Sequence, residues 1–231
     1  LMLVAKFAIV VTLSYLIGSI PFGVLVSRWF SRVDVRNYGS GKTGATNVAR
    51  VAGKKAAALV AVFDLLKGAL AVAMALLVFR GVYWVVVGSG EWWLVKSVPI
   101  LAALAAMAGH TWPVFLKFRG GRGVATFFGG LAVLCPPAFL IGVQIALLSA
   151  GLTRYASLGS LAGGVGAYII LLPLTIFSGY PIASLIYALV GTIAIAVTHR
   201  DNIARLLAGT ERRLGGKILN LELPLSQKNT G

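Results

Sequence analysis

Only one cysteine, six acidic residues and two histidines occur in the 231 positions of this chain. The lone Cys135 makes no internal disulfide and no cysteine-based zinc site. So few carboxylates leave no cluster to hold a metal ion. Charged residues of both signs amount to 12%, too few to solvate a water-facing domain of this length. Apolar residues stand in their place: 58% of the chain is hydrophobic and the mean hydropathy is +0.91. Several runs are long enough to cross a hydrocarbon core as helices, about 20 residues each. A helix satisfies its own backbone where lipid offers no partner. The expected class is an all-α integral membrane protein.

The shortage of acid leaves a net charge of +15. Positive-inside bias accounts for about half of that excess; the remainder points to an anionic substrate or lipid headgroup. Nucleic acid is not expected, because the basic residues lie between apolar runs with no interleaved aromatic array. The obvious runs are 3–26, 56–79, 98–116, 156–177 and 182–198. The first is long, and no small-residue cleavage pattern follows it, so it reads as a span and not as a signal peptide. Basic residues cluster in 28–55, 117–122 and 200–217.

Topology turns on residues 123–153. One crossing there gives six spans and puts the third basic cluster on the opposite face from the first two. Two crossings, with a turn at Pro136-Pro137, give seven spans, an outside N-terminus, a cytoplasmic C-terminus and all three clusters in the cytoplasm. The positive-inside rule and the turn preference of a Pro-Pro pair both favour seven. The fourth span, 124–135, is then short: about 18 Å at 1.5 Å per residue against a core of roughly 30 Å. Neighbouring helices have to shelter it. Residues 1–217 are read as one polytopic domain and 218–231 as a frayed tail.

Three segments rich in glycine and arginine interrupt the apolar sequence: 34–50 (DVRNYGSGKTGATNVAR), 117–126 (KFRGGRGVAT) and 199–215 (HRDNIARLLAGTERRLG). Glycine beside a cation lets a backbone approach a phosphate and then neutralise it. The GKT triplet at 41–43 is not a P-loop, because Arg36 stands where its first glycine belongs and a transmembrane helix follows. What the first segment offers is a dense donor set, Ser40, Lys42, Thr43, Thr46 and Asn47, between Arg36 and Arg50. In the second, Gly120, Gly121 and Gly123 surround Arg122 just before a helix. In the third, His199, Asn202 and Arg205 lie along one helical stretch ahead of Glu211. Asp64 and Lys67 sit at i,i+3 inside a span, where charge needs a partner; a mutual pair and a site role both remain open. His110 reads as a helix-end histidine. Neither histidine begins an H-x-x-x-x-D sequence, which sets aside the glycerolipid acyltransferases that use one.

Taken together, the segments resemble the bacterial acyl-phosphate:glycerol-3-phosphate acyltransferases, the PlsY family. The likeness runs through GSIPFG at 18–23, GSG-x-x-GATN-x-x-R at 39–50 and FDLLKG at 63–68. It continues through GHTWPVFLKFRGGRGVAT at 109–126, TRYASL at 153–158 and HRDNIARLLAGTE at 199–211. The resemblance implies seven spans with the motifs in cytoplasmic loops. It implies Ser40 and Arg50 from the first motif, phosphate binding by the glycine loop 120–123, and His199, Asn202 and a structural Glu211 from the third. Arg122 stands where the family usually has lysine, and Lys42 where it usually has asparagine. The implied reaction moves a fatty acyl group from acyl phosphate to the 1-hydroxyl of glycerol 3-phosphate, without metal or cofactor, in a monomer of the bacterial inner membrane whose site faces the cytoplasm. Besides these two substrates, membrane lipids are the expected partners. Ser40, His199 and Asn202 are the expected catalytic groups. Lys42, Thr46, Asn47, Arg50, Gly120, Gly121, Arg122, Gly123 and Arg205 are expected to bind substrate, with Asp64, Lys67 and Glu211 structural. An acyl-Ser40 intermediate lacks an adjacent base in the sequence. A transporter using Asp64 and Lys67 is the competing class, though no internal repeat supports it.

Overall fold

The computed structural model describes residues 2–85 and 92–215, so the expected frayed tail at 218–231 lies outside the described residues. Its regular elements are helices: α1 Met2–Ser19, α2 Phe22–Ser31, α3 Ala45–Val51, α4 Gly53–Val85, α5 Trp92–Thr111, α6 Val124–Leu134, α7 Pro136–Thr153, α8 Ala156–Phe177, α9 Ile182–Thr198 and α10 Arg200–Leu207. Single 3-10 turns occupy Val35–Asn37 and Val114–Leu116. Five stretches have the length and hydropathy to cross a membrane: Met2–Ser31, Gly53–Arg80, Val95–Leu116, Pro136–Thr153 and Ala156–Phe177. A sixth, Ile182–Thr198 with Arg200–Leu207, qualifies as a pair bent by 63°. Large apolar side chains such as Leu77, Leu147 and Phe177 face outward, as a lipid-facing surface requires.

The first apolar run lies within the candidate span Met2–Ser31 and is built of two helices that break at Ile20-Pro21, because Pro21 has no N–H to continue the ladder. One expectation needs correction: Pro136-Pro137 do not form the turn. They open α7 at its first positions, where a missing N–H costs nothing. The break between α6 and α7 falls instead on Cys135, whose backbone is extended (φ −155°).

The short α6 has 11 residues and is enclosed by α4, α5, α7 and α9. All of Thr126, Phe127, Phe128, Gly129, Gly130 and Leu131 are buried. Its approach to α4 is backbone to backbone. A Cβ on Gly129 would strike the Leu65 carbonyl, and one on Gly68 would strike that of Thr126. Close approach through small residues is how helices bind in lipid, where burial of apolar surface supplies no drive. Phe127 and Phe128 with Tyr187, Leu131 and Leu171 form the central core, and the Tyr187 hydroxyl donates to the Phe127 carbonyl at 3.0 Å. A second cluster of Val24, Val35, Val48, Val60 and Leu116 pins the 34–50 segment to α4. With α6 anchored this way, its N-terminus, the 34–50 loop and the bend at His199 meet at one end of the bundle.

Candidate active site

The first loop is built around Asn47, which is 2% exposed. Its Nδ2 lies 3.0 Å from the Val35 carbonyl, 3.1 Å from that of Tyr38 and 3.0 Å from that of Lys42, while Oδ1 accepts the Ser40 N–H at 3.0 Å. Every polar atom of Asn47 is thereby spent on backbone. The residue expected to contact substrate instead holds the loop's shape. Gly39 (φ +59°) and Gly41 (φ +68°) supply the left-handed turns on either side of Ser40. Ser40 Oγ accepts the Lys42 N–H at 3.4 Å, which leaves its own O–H to donate. Arg36 is bound by Asp34 at 2.7 Å, and Arg28 reaches the same carboxylate at 3.0 Å.

The glycine loop departs from expectation in a similar way. Gly120 and Gly121 donate their N–H groups to the carbonyls of Thr111 and His110, at 3.1 and 3.0 Å, and so cap the end of α5. No backbone acceptor takes the N–H of Arg122 or Gly123 among the described residues. The amides free for an anion therefore begin at Arg122 and run into the first turn of α6, where the helix dipole adds positive potential. Gly123 turns the chain into α6 with φ +79°. Thr198 Oγ1 donates to the Arg122 carbonyl at 3.2 Å, tying this loop to the end of α9.

At the bend, His199 is 2% exposed. Its Nδ1 lies 2.8 Å from the Ile195 carbonyl. A carbonyl only accepts, so Nδ1 carries the proton and Nε2 keeps its lone pair. Burial, then the positive charge of Arg122, pushes the imidazole down to about 4. Glu211 gathers the third segment: it accepts from Asn202 Nδ2 at 2.6 Å, Arg205 Nε at 2.8 Å and Ser157 Oγ at 3.0 Å. Burial alone would raise this carboxyl, but those three donors outweigh it and hold it below the usual range. With its amide engaged, Asn202 is left with a buried, unpartnered Oδ1.

These pieces meet in two adjoining spaces. A polar pocket is lined by Ser40, Thr46, Arg50, Arg122, His199, Asn202, Arg205, Glu211 and Arg212, with Ser157 and Ser160 of α8. It shares Ser40, Thr46, Arg50, Arg122, Ser160 and His199 with a cleft of about 360 Å³ that runs between α4, α6 and α7 along Ala61, Leu65, Phe128, Val143, Ala146 and Leu147. Of the expected site residues, Lys42, Asn47, Asp64 and Gly123 line the cleft only, and Lys67, Gly120 and Gly121 line neither space. Arg50 and Arg122 enter no ion pair among the described residues, and Arg122 Nε is buried without a partner. Burial pushes both guanidinium groups below their ordinary range, and neighbouring arginines add to the effect while Glu211 opposes it.

Beneath the glycine loop, Asp64 Oδ1 lies 2.9 Å from Lys67 Nζ and 3.3 Å from His110 Nδ1, and all three residues are buried. Lys67 also reaches the Ile20 carbonyl at 3.4 Å, at the α1–α2 break. A Cβ at position 121 would collide with His110 Nε2, so the imidazole sits directly under Gly121. The sequence shows the Asp64–Lys67 pair but not His110 as its third member, which only the seating of α5 against α4 reveals. Ser157, Ser160 and Arg212 were likewise missed. The first two lie in or beside the TRYASL segment already singled out, which was the available signal.

Known proteins resemble this chain in sequence and fold. The profile of the family described as glycerol-3-phosphate acyltransferase matches residues 8–209. A glycerol-3-phosphate acyltransferase 3 of Dehalococcoides mccartyi is 56% identical over 94% of this chain and 99% of its own. A glycerol-3-phosphate acyltransferase of Thermus thermophilus is 45% identical over 89% and 94%. Among solved structures, PlsY (YgiH), an integral membrane glycerol 3-phosphate acyltransferase, superimposes in its glycerol 3-phosphate form with a TM-score of 0.77. That pair is 37% identical and covers 90% of this chain and 96% of PlsY. The lysophosphatidic acid form gives a TM-score of 0.75 at 35% identity, covering 90% and 94%.

Proposed function

This chain belongs to the glycerol-3-phosphate acyltransferase family, and from that premise we propose that it moves a fatty acyl group from acyl phosphate to the 1-hydroxyl of glycerol 3-phosphate. The products are 1-acyl-glycerol 3-phosphate and inorganic phosphate, and the step opens bacterial phospholipid synthesis. One observation carries this reading: a cation-walled polar pocket opens directly into an apolar cleft. The pocket suits a small phosphorylated polyol, and the cleft suits a fatty chain whose head must reach the same arginines. The proposed setting is the bacterial inner membrane, with a monomer of seven spans, the short α6 among them. Its N-terminus is outside and its C-terminus is cytoplasmic. That topology gathers the three basic segments on the cytoplasmic side, as the positive-inside rule favours.

The chemistry is nucleophilic acyl substitution. The acceptor hydroxyl oxygen attacks the acyl carbonyl carbon, and the carbon–oxygen bond to phosphate breaks. Phosphate leaves readily, so catalysis is positioning of two anions and stabilisation of the tetrahedral oxyanion. Arg50 and Arg122 hold phosphate oxygens, Arg205 and Thr46 complete the pocket wall, and the free amides from Arg122 onward face developing negative charge. Ser40 donates to a reacting oxygen, and Asn202 Oδ1 accepts from a substrate hydroxyl. His199 presents Nε2 to the attacking hydroxyl. Burial holds the imidazole below its ordinary range, which disfavours its taking the proton. In this reading His199 orients the hydroxyl through its lone pair, and the proton finishes on the departing phosphate.

The test is an acyltransfer assay on detergent-purified protein with labelled glycerol 3-phosphate, offering acyl phosphate, acyl-CoA and acyl carrier protein thioester separately. Product from acyl phosphate alone supports the donor. Product from a thioester keeps the transferase and overturns the donor.

A further inference from the structure

The cations around the two spaces divide into sets. Arg205 and Arg212 line the polar pocket only, Lys42 lines the cleft only, and Arg50 and Arg122 line both. Among the described residues every carboxylate is engaged by a cation outside the unpaired set: Asp34 by Arg28 and Arg36, Asp64 by Lys67, Asp201 by Arg200 and Glu211 by Arg205. Lys42, Arg50, Arg122 and Arg212 enter none of these ion pairs. Each phosphate monoester carries about −1.5 to −2 near neutral pH, so two of them balance four such cations, whereas one leaves repelling cations in a partly buried site.

The neighbours of each cation follow the same division. Arg50 feels Arg212 and Arg205 with Glu211 opposing them, whereas Lys42 feels Arg122 and Arg200 with Asp201 opposing them. Arg122 stands between the two groups and feels Glu211 first, then the opposing charges of Arg205 and Arg50. Lys42 is half-buried, and burial pushes its ammonium below the ordinary range, with the Arg122 charge adding to the shift. Its backbone is fixed by the Asn47 clamp on its carbonyl and by the bond from its N–H to Ser40 Oγ. The ammonium is thus carried by the same rigid turn that presents Ser40.

Resting on the function proposed above, we infer that Lys42 is a specificity-determining residue for the acyl donor. It holds the donor's phosphate at the mouth of the apolar cleft while the acceptor's phosphate occupies the Arg50–Arg205–Arg212 side, Arg122 bridging the two. The two anions are then bound together, and Lys42 distinguishes a donor with a phosphate head from one whose head at the acyl carbon is uncharged.

Lys42→Gln removes the charge with little change in length, and Lys42→Arg keeps it. With full-length purified enzyme, initial rates are measured while acyl phosphate and glycerol 3-phosphate are varied in turn. Lys42→Gln is expected to raise the KM for acyl phosphate at least about 10-fold, the loss of one charge-assisted contact. The KM for glycerol 3-phosphate stays within about 2-fold, and Lys42→Arg recovers most of the loss. Inorganic phosphate supplies a measurement on the unaltered enzyme, where inhibition competitive with acyl phosphate is expected to weaken in Lys42→Gln. Unchanged constants for both substrates, or a rise confined to glycerol 3-phosphate, overturn the assignment of Lys42 and leave the reaction standing. An unaltered enzyme that makes no product from acyl phosphate overturns the reaction, and this assignment with it.

Discussion

Two charge clusters lie one beneath the other in this protein, and they are opposites. Asp64, Lys67 and His110 form a closed group inside the helix bundle: the carboxylate meets both bases, and all three residues are buried. Arg50, Arg122, Lys42 and Arg212 form an open group above it, and among the described residues none of the four enters an ion pair. A closed group pays for its desolvation with its own partners and is costly to break. An open group of like charges destabilises the empty protein and is relieved only by an anion brought from outside. Burial alone does not separate scaffold from site; the presence or absence of a counter-charge does.

The difference is tested most severely by removing one member of each group. Asp64→Ala strands Lys67 in the bundle without its counter-charge, and a loss of about 3–5 kcal/mol is expected, seen as a large fall in the detergent-solubilised unfolding temperature with activity lost alongside. Arg122→Ala is expected to do the reverse. Activity falls by about 10²-fold or more, while the unfolding temperature stays level or rises because a repelling charge has gone. If Arg122→Ala unfolds the protein as Asp64→Ala does, the open group is scaffold and the distinction fails.

His199 sharpens the comparison from the edge of the open group. If its lone pair orients the attacking hydroxyl as proposed, His199→Ala lowers kcat by about 10²-fold. A change confined to KM removes that role. Glu211 is the one carboxylate within the open group's wall, and it is already spent on Asn202, Arg205 and Ser157. Glu211→Gln keeps the shape but weakens three charge-assisted bonds of about 1.5–3 kcal/mol each. A smaller fall in unfolding temperature is expected than for Asp64→Ala, with a rise in the KM for glycerol 3-phosphate as Asn202 and Arg205 loosen. Its carboxyl is held below the ordinary value, so this stabilisation is full above the usual glutamate range and fades as the pH falls through the folded value.

The open group was far more legible in the sequence than the closed one. Polar and glycine-rich segments stand out against a chain that is 58% hydrophobic, so the segments that hold Ser40, Arg50, Arg122, His199 and Asn202 could be found from composition, while the roles expected of these residues came from the family resemblance. Their commitments could not. Asn47 and the Gly120 and Gly121 amides look like ligand donors on paper, and in the fold they are consumed by backbone carbonyls. Such bonds depend on how a loop closes, which residue type does not reveal. His110 joins Asp64 only because α5 lies against α4, a tertiary fact without local signature. The apolar helices were readable from hydropathy, and the need to shelter the short α6 followed from its length. The actual breaks, at Cys135 and at the 63° bend beside His199, were not, because each is set by the neighbours that its helix must meet.

The smallest expected effect concerns the pH range in which the open group stays open. His199 falls to about 4 in the fold, from an ordinary 6.5, through burial first and the Arg122 charge second. Between those two values the unfolded chain binds a proton at this residue that the folded protein does not. Stability contributed by the neutral imidazole is therefore complete above about 6.5 and is lost as the pH falls toward about 4. Unfolding temperatures of the unaltered protein and of His199→Gln, followed from pH 7 to pH 4, are expected to run parallel at the upper end. They converge toward the lower end, because glutamine has no proton to gain. An anion in the pocket offsets the Arg122 charge and raises the folded imidazole toward its ordinary value, so saturating glycerol 3-phosphate is expected to shrink this acid loss without moving its onset. An acid loss left unchanged or enlarged means that the ligand does not sit against Arg122.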